Sequence, residues 1–367
     1  MSNDDRHYMQ RALELAALGL GRTSPNPAVG AVIVKEGTIV GEGYHQKAGT
    51  PHAEIHALRQ AGEHARGADI YVTLEPCSHY GKTPPCVNAL IEAGIKRVVA
   101  AVLDPNPLVA GQGIKILQNA GIETKIGVLE EPARRLNEAF FKYITTRRPF
   151  VALKTAMTLD GKIATREGNS RWITSAPARQ YVHQLRNRYD AIMVGIGTVL
   201  ADDPLLNTRL EDASARDPVR IIIDGQLNLP LDSKIAQTSN NQPTLVYTSR
   251  SADQGREKAL REKGLEIVRV DGTQDNLDLR QVMDDLGKRG LISILVEGGA
   301  GLNASLLEQK LVDKLYWFIA PKIIGGSQAP GPVGGTGAAI MDEAIILHDI
   351  QQQQIGDDLL VEAYTRW

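Results

Sequence analysis

The sequence predicts an α/β protein of two domains, and three observations carry that reading. The chain has 367 residues, enough for about two domains at roughly 150 residues each. Helical and strand patterns alternate along both halves. Between them lies the polar run Thr145-Thr146-Arg147-Arg148-Pro149, a linker by composition. The expected domains are therefore residues 1–146 and 147–367.

The first domain opens with helical spacing over Tyr8–Leu20. Ala28–Lys35 reads as an apolar strand turning at Glu36-Gly37 into a second strand, Thr38–Gly43. Further helices are expected at Ala53–Gln60, Pro85–Ala93, Gly113–Ala120 and Pro132–Ile144, with strands at Asp69–Leu74, Arg97–Leu103 and Thr124–Gly127. Strands separated by helices imply a mainly parallel sheet covered on both faces.

The second series begins with strand Phe150–Thr155 and helix Ala176–Asn187. Strands follow at Ala191–Gly195, Val219–Asp224, Thr244–Thr248 and Glu266–Val270, then helix Leu277–Lys288, strand Ser293–Glu297, helix Asn303–Gln309 and strand Lys314–Ala320. The stretch Gly325–Gly337 reads as a mobile surface loop, because strand-like sequence resumes beyond it.

Composition narrows the function. With 43% hydrophobic and 23% charged residues the chain is not disordered. Its 41 basic and 43 acidic side chains leave a net charge of −2, which argues against gripping a nucleic-acid backbone while leaving room for a local phosphate pocket. The N-terminus is acidic at Asp4 and Asp5, the apolar run Ala12–Leu20 is broken by Glu14 and Gly19, and no segment reaches the roughly 20 apolar residues of a membrane span. A cytoplasmic location is expected, in which thiols stay reduced. The two cysteines then need an explanation other than a disulfide.

They stand close together, as Pro76-Cys77 and Pro85-Cys86, downstream of His52-Ala53-Glu54. H-x-E followed by P-C and a second Cys is the pattern of zinc nucleobase deaminases, in which Glu is not a ligand. Three protein ligands leave the fourth zinc position for water and lower its pKa toward neutrality. Glu54 would carry the proton from that water to the ring and the departing amine. The opposing reading, two small buried hydrophobes, must place both cysteines after prolines and in this order by accident. His56, one turn beyond His52, is expected to be a satisfied helix-face residue, since a fourth ligand would close the site. His79 is expected in the substrate pocket or on the surface. Many zinc deaminases have two residues between the cysteines; here there are eight, Ser78–Pro85, including Lys82 as a partner for a phosphate or polar ring edge.

The second domain lacks a complete G-x-G-x-x-G after its first strand, so an ordinary dinucleotide fold is not indicated. Gly195-Ile196-Gly197-Thr198-Val199-Leu200 is a partial version. Gly299-Ala300-Gly301-Leu302-Asn303-Ala304, between a strand and a helix, is the better phosphate site. Alone, it fits either a nucleotide site or a tight strand-to-helix turn.

The segments Thr23–Gly30, Gly41–His45, Pro51–Glu54 and Thr73–Cys86 resemble the bifunctional riboflavin-biosynthesis deaminase/reductase family, long cysteine loop included. The resemblance extends through Lys154–Lys162, Ser170–Ser175, Gly197–Arg209 and Val296–Gly299. It implies a cytidine-deaminase-like three-layer domain followed by a dihydrofolate-reductase-like domain. In the first, it implies His52, Cys77 and Cys86 as zinc (Zn2+) ligands, Glu54 as proton shuttle, and Asn26, His45 and Lys82 as substrate contacts. In the second, it implies an NADPH site at Met157, Trp172, Thr198, Asp202, Gly225 and the run Gly299, Ala300, Gly301, Leu302, Asn303, Ala304 and Ser305. Ser170, Arg186, Leu206, Arg209 and Glu297 would line the substrate pocket.

Arg186 and Arg209 suit a bidentate clamp on a ribose phosphate; the alternative for both is a solvated surface arginine. Gly225 could equally be a turn glycine and Trp172 a core residue. Asp202 and Glu297 are candidates to orient hydroxyls or supply a proton for the reduction, and Lys154 is a third; the sequence does not choose among them.

The implied reactions are hydrolytic deamination of 2,5-diamino-6-ribosylamino-4(3H)-pyrimidinone 5′-phosphate, then NADPH-dependent reduction of 5-amino-6-(5-phosphoribosylamino)uracil to the ribitylamino product. The implied partners are these phosphorylated pyrimidines and a second copy of the chain, in a homodimer through the reductase domain, with neither nucleic acid nor membrane. A nucleic-acid deaminase is disfavoured by the balanced charge and the large second domain. A nucleotide sensor without turnover is disfavoured by the complete His, Glu and Cys set.

Overall fold

A computed structural model describes residues 3–79, 84–106, 110–212 and 215–367. Two compact units divide after Arg147. No helix among the described residues is long and apolar enough to cross a membrane.

The first unit comprises α1 (Asn3–Ala17), β1 (Gly30–Lys35), β2 (Thr38–Tyr44), α2 (Ala53–Ala61), β3 (Asp69–Val72), α3 (Cys86–Glu92), β4 (Arg97–Ala100), α4 (Gln112–Asn119), β5 (Glu123–Ile126), α5 (Glu130–Leu136) and α6 (Glu138–Thr146). Glu36 and Gly37, both at positive φ, make the two-residue turn that folds β1 onto β2. The sheet runs β2-β1-β3-β4-β5. It is mixed rather than mainly parallel: β1 is antiparallel to both neighbours, and only β3, β4 and β5 run together.

Two glycines show how the layers form. A Cβ on Gly30 would lie 2.0 Å from the Ala12 carbonyl oxygen of α1, and one on Gly43 would lie 2.4 Å from the Ala53 carbonyl oxygen of α2. Gly43 pairs with Ala31, the residue after Gly30, so the two glycines face opposite sides of the sheet. The helices therefore cover opposite faces, giving three layers around the core of β1, β3 and β4.

The predicted helix Pro132–Ile144 is two helices. Asn137 leaves helical geometry at φ −110°, ψ 22°, and its amide pairs twice with the Ala28 backbone, at 2.8 Å each way. A buried bidentate amide pair outweighs the helical propensity of its neighbours.

The second unit comprises β6 (Phe150–Thr158), α7 (Ala176–Arg188), β7 (Ala191–Gly195), α8 (Ile196–Asp202), β8 (Val219–Ile223), α9 (Lys234–Gln237), β9 (Thr244–Ser249), α10 (Gln254–Glu262), β10 (Glu266–Val270), α11 (Leu279–Lys288), β11 (Ser293–Val296), α12 (Ala300–Glu308), β12 (Lys314–Ala320), β13 (Leu347–Ile355) and β14 (Asp358–Thr365). Its sheet runs β10-β9-β8-β7-β11-β6-β12-β14-β13. The strands from β10 to β12 are parallel; β14 and β13 add on antiparallel. Met193 packs on one face of this sheet and Ile192 and Val194 on the other, which is why its strands read as continuous apolar runs.

The segment Gly325–Gly337 is held rather than free. Ile163 N–H bonds the Pro330 carbonyl, Lys162 Nζ the Ala329 carbonyl, Asn303 Nδ2 the Pro332 carbonyl, and Gly334 N–H the Ala300 carbonyl. Glycine and proline spacing shows a break in regular structure but not the backbone partners that hold it.

Candidate active sites

In the first unit His52 is the extended residue that precedes α2, so its side chain stands at the helix entrance with Glu54 half a turn inside. Pro85 likewise precedes α3 and places Cys86 at its first position. Cys77 lies in the segment after β3 and accepts the Cys86 backbone N–H at 3.2 Å, a helix N-terminal donor that favours thiolate. His52 Nδ1 is 3.5 Å from Cys77 Sγ and 3.3 Å from Cys86 Sγ, and the three ligand atoms lie within 4.8 Å of one another.

One imidazole and two thiols with an adjoining carboxylate are the donors that zinc selects for a catalytic site. The sulfurs share their titration: hydrogen bonding between them lowers Cys77 and raises Cys86, as expected of a pair holding one proton that a cation would replace. Glu54 is buried, and its Oε2 has no hydrogen-bond partner. Burial first, then Cys77, raises its pKa.

Around this cluster, His45 Nδ1 donates to the Pro51 carbonyl and Nε2 meets Asn26 Nδ2, both at 3.2 Å, so His45 is fully engaged and fixes the Asn26 amide. His56 stands outside the ligand cluster, and its buried Nε2 has no partner, so it is not the satisfied residue expected. His79 is exposed. Lys82 lies outside the described residues.

In the second unit a cavity of about 970 Å³ opens at the carboxyl ends of β6, β7, β8 and β11, where open α/β sheets place ligands. Of the residues implied by resemblance, Trp172, Thr198, Asp202, Gly225, Gly299, Ala300, Gly301, Leu302 and Ser305 line it, as do Ser170, Arg186, Leu206, Arg209 and Glu297. Met157, Asn303 and Ala304 do not line it. Asn303 and Ala304 are buried on the inner side of α12, where Asn303 ties down Pro332.

Gly299 precedes α12 with no side-chain cap, so the first N–H groups of that helix lie at the cavity. A Cβ on Gly301 would meet nothing within 4 Å, leaving room for a ligand against the backbone. Gly225 has a reason of its own, since its Cβ would strike the Gln274 carbonyl oxygen at 2.0 Å.

Beside Ser170 and Leu206 sits a charged cluster. Arg186 donates to Glu297 through Nε at 2.6 Å and Nη2 at 3.0 Å, and through Nη1 to the Asn207 carbonyl. Arg186 is therefore a part-buried structural partner of Glu297, neither a solvated arginine nor a free phosphate fork. Lys154 Nζ stands 3.7 Å from Glu297 Oε2. Burial opposes ionisation of Glu297, but Arg186 and Lys154 prevail and hold its pKa at about 2. Burial pushes Lys154 down, with Glu297 opposing. The Arg209 guanidinium makes no ion pair among the described residues.

His183 was not foreseen. It lines the cavity, accepts the Arg209 backbone N–H at Nδ1, and is pushed down to about 4 by burial and by Arg186 and Arg209. Arg179, His183 and Arg186 form one stripe on α7, and their spacing of four then three is the sequence signal for it.

The comparisons with known proteins agree with this division. Residues 2–102 match the cytidine and deoxycytidylate deaminase zinc-binding region, and residues 149–361 match the RibD C-terminal domain. The chain is 48% identical to riboflavin biosynthesis protein RibD of Actinobacillus pleuropneumoniae, covering 98% of this chain and 94% of that one. It is 46% identical to RibD of Aquifex aeolicus, covering 97% of each. The structure resembles Acinetobacter baumannii RibD with a TM-score of 0.88 at 40% identity, covering 99% of both chains. It also resembles a Thermotoga maritima diaminohydroxyphosphoribosylaminopyrimidine deaminase/5-amino-6-(5-phosphoribosylamino)uracil reductase, with a TM-score of 0.85 at 38% identity and 99% coverage of both. With a zinc-deaminase site in one unit and a reductase cavity in the other, the chain belongs to the RibD family of bifunctional riboflavin-biosynthesis deaminase/reductases.

Proposed function

We propose that the first unit deaminates 2,5-diamino-6-ribosylamino-4(3H)-pyrimidinone 5′-phosphate and that the second reduces the resulting 5-amino-6-(5-phosphoribosylamino)uracil with NADPH. The observation that carries this is the pairing, in one chain, of the His52, Cys77, Cys86 and Glu54 cluster with a cavity holding Glu297, Lys154 and Arg209.

In the first site His52, Cys77 and Cys86 would hold zinc, which supplies Lewis-acid activation of water. Glu54 takes one proton from the attacking water and gives it to the ring nitrogen, then moves the second proton, from the newly added hydroxyl, to the amine, so that ammonia leaves as the C–N bond breaks and the carbonyl forms. Its unpartnered Oε2 is the atom with capacity for that proton. Asn26, fixed by His45, orients the pyrimidine.

In the second site NADPH, when bound, supplies the hydride. The N-terminal N–H groups of α12 receive its pyrophosphate, and Arg209 takes the ribose phosphate. Reduction at C1′ requires ring opening, and the freed ribose oxygen needs a proton. Glu297 is held ionised and accepts hydrogen bonds from ribose hydroxyls, while Lys154, beside it, donates the proton.

The second unit also suits self-association. β13 is one edge of the sheet, opposite β10, and Met341, Ile346 and Ile350 stand exposed on and beside it. Pairing with a second copy covers that edge, and sedimentation of an Ile350→Lys variant tests it. The activities are tested by mass analysis of products from the diaminopyrimidinone with and without NADPH and a zinc chelator. Ammonia release should need no NADPH and should stop with the chelator, whereas NADPH oxidation should require the deaminated substrate.

A further inference from the structure

We infer that Gln242, anchored by the buried Arg220, is a positioning residue of the reductase that holds Leu206 and Arg209 toward the cavity. The inference rests on the reading that these two residues contact the substrate.

The segment after α8 lines the cavity with Pro204, Leu206 and Arg209, and Leu206 within it adopts φ +55°. A branched residue keeps such a left-handed conformation only where its surroundings hold it. Leu206 is 3% exposed, and its carbonyl oxygen accepts from Gln242 Nε2 at 3.1 Å. The other Nε2 proton goes to the Pro218 carbonyl at 2.8 Å. Both amide donors are spent on backbone oxygens, which fixes the orientation of the amide.

Gln242 is fixed in turn by Arg220, which donates to the Gln242 carbonyl at 3.0 Å. Arg220 has no exposed surface. Its remaining partners are neutral: Thr244 Oγ1 at 2.8 Å, Thr238 Oγ1 at 2.7 Å, the Ile235 carbonyl at 3.2 Å and, most distant at 3.5 Å, the Leu205 carbonyl. Burial pulls its pKa down to about 10, with Asp217 opposing. A buried cation without a directly bonded carboxylate is a poor device for stability, and apolar residues would serve that end better. What it provides is a rigid frame of directed donors behind the substrate segment. Neither Arg220 nor Gln242 lines the cavity, so both act through Leu206 and its neighbours.

Gln242→Met keeps the length of the side chain and removes its donors. In the full chain it should raise the KM for the phosphoribosylaminouracil by about tenfold, the scale of a small misplacement of a binding group. Its kcat and the NADPH Kd, read by nicotinamide fluorescence, should stay within about twofold of the parent. Gln242→Glu, which sets an oxygen against two carbonyls, should raise that KM further. A purely structural role lowers the melting temperature and leaves KM unchanged in the folded fraction; that result, or an equal rise in NADPH Kd, overturns the inference. If Gln242→Met does not fold, Thr238→Val removes one anchor of Arg220 and should raise the same KM about threefold, and no rise overturns it. Arg209→Gln separates the two levels. Unchanged substrate KM there removes the substrate reading and the inference with it; a raised KM there with none in the Gln242 variants removes the inference alone.

Discussion

Arg186 and Glu297 form a part-buried bidentate pair, 2.6 and 3.0 Å, between α7 and the end of β11. The arginine thus sets the charge and direction of the carboxylate, and Arg209 lines the same cavity without an ion pair among the described residues. Glu297→Gln should lower kcat/KM for the reduction at least 100-fold and leave deamination intact, in paired assays on one preparation. It should also destabilise the second unit by about 3 kcal/mol, because Arg186 and Lys154 are left without their counter-charge.

The cysteines make the complementary prediction. Cys77→Ser or Cys86→Ser should abolish deamination and reduce bound zinc, measured by atomic absorption, while NADPH-dependent reduction persists. Retained deamination with a metal content unchanged from the parent would overturn the ligand assignment. Glu54→Gln should keep the metal and lose the activity by at least about 100-fold, since only the proton carrier is gone.

His183 sets a pH dependence of stability. Its folded pKa of about 4 lies below the ordinary value near 6.5, so the unfolded chain binds a proton first as pH falls. Its contribution is complete above pH 6.5 and is lost as pH falls toward 4. His183→Gln, which does not titrate, should flatten the fall in melting temperature of the second unit across that window, seen by calorimetry at pH 7, 5.5 and 4.5.

Much of this was legible in the sequence because the chemistry sits in short contiguous motifs. His52 and Glu54 are two apart, and the glycines around Gly299 sit in one strand-to-helix turn. What stayed hidden depends on partners distant in the chain. Asn137 breaks a helix only because Ala28, 109 residues away, offers its backbone. Arg186 is part-buried only because Glu297 comes to it from β11, and a polar helix end gives no sign of that. The antiparallel start of the first sheet was present in the Glu36-Gly37 hairpin, but the helix-strand alternation that follows suggested a parallel sheet. The helix α10 carries almost no apolar periodicity in its sequence, because only Leu260 of its nine residues is buried.

Lys154 is the sharpest remaining test, because three residues are candidates to give the proton and their surroundings differ. Glu297 is held ionised at about 2, so it has no proton to give near neutrality. Asp202 sits at the end of α8, with 41% of its side chain exposed and Arg171 near it at 3.8 Å. Lys154 is largely covered and 3.7 Å from Glu297, and burial pulls its pKa down with Glu297 opposing, which makes its ammonium a stronger acid. Lys154→Met should therefore lower kcat for the reduction by about 100-fold or more, the usual size of a lost general acid. NADPH Kd and deamination should be unchanged. Lys154→Arg keeps the charge beside Glu297 but releases its proton far less readily, so it should hold substrate near the parent KM with kcat still depressed. If Lys154→Arg restores kcat, Lys154 serves as a counter-charge only, and the proton comes from elsewhere.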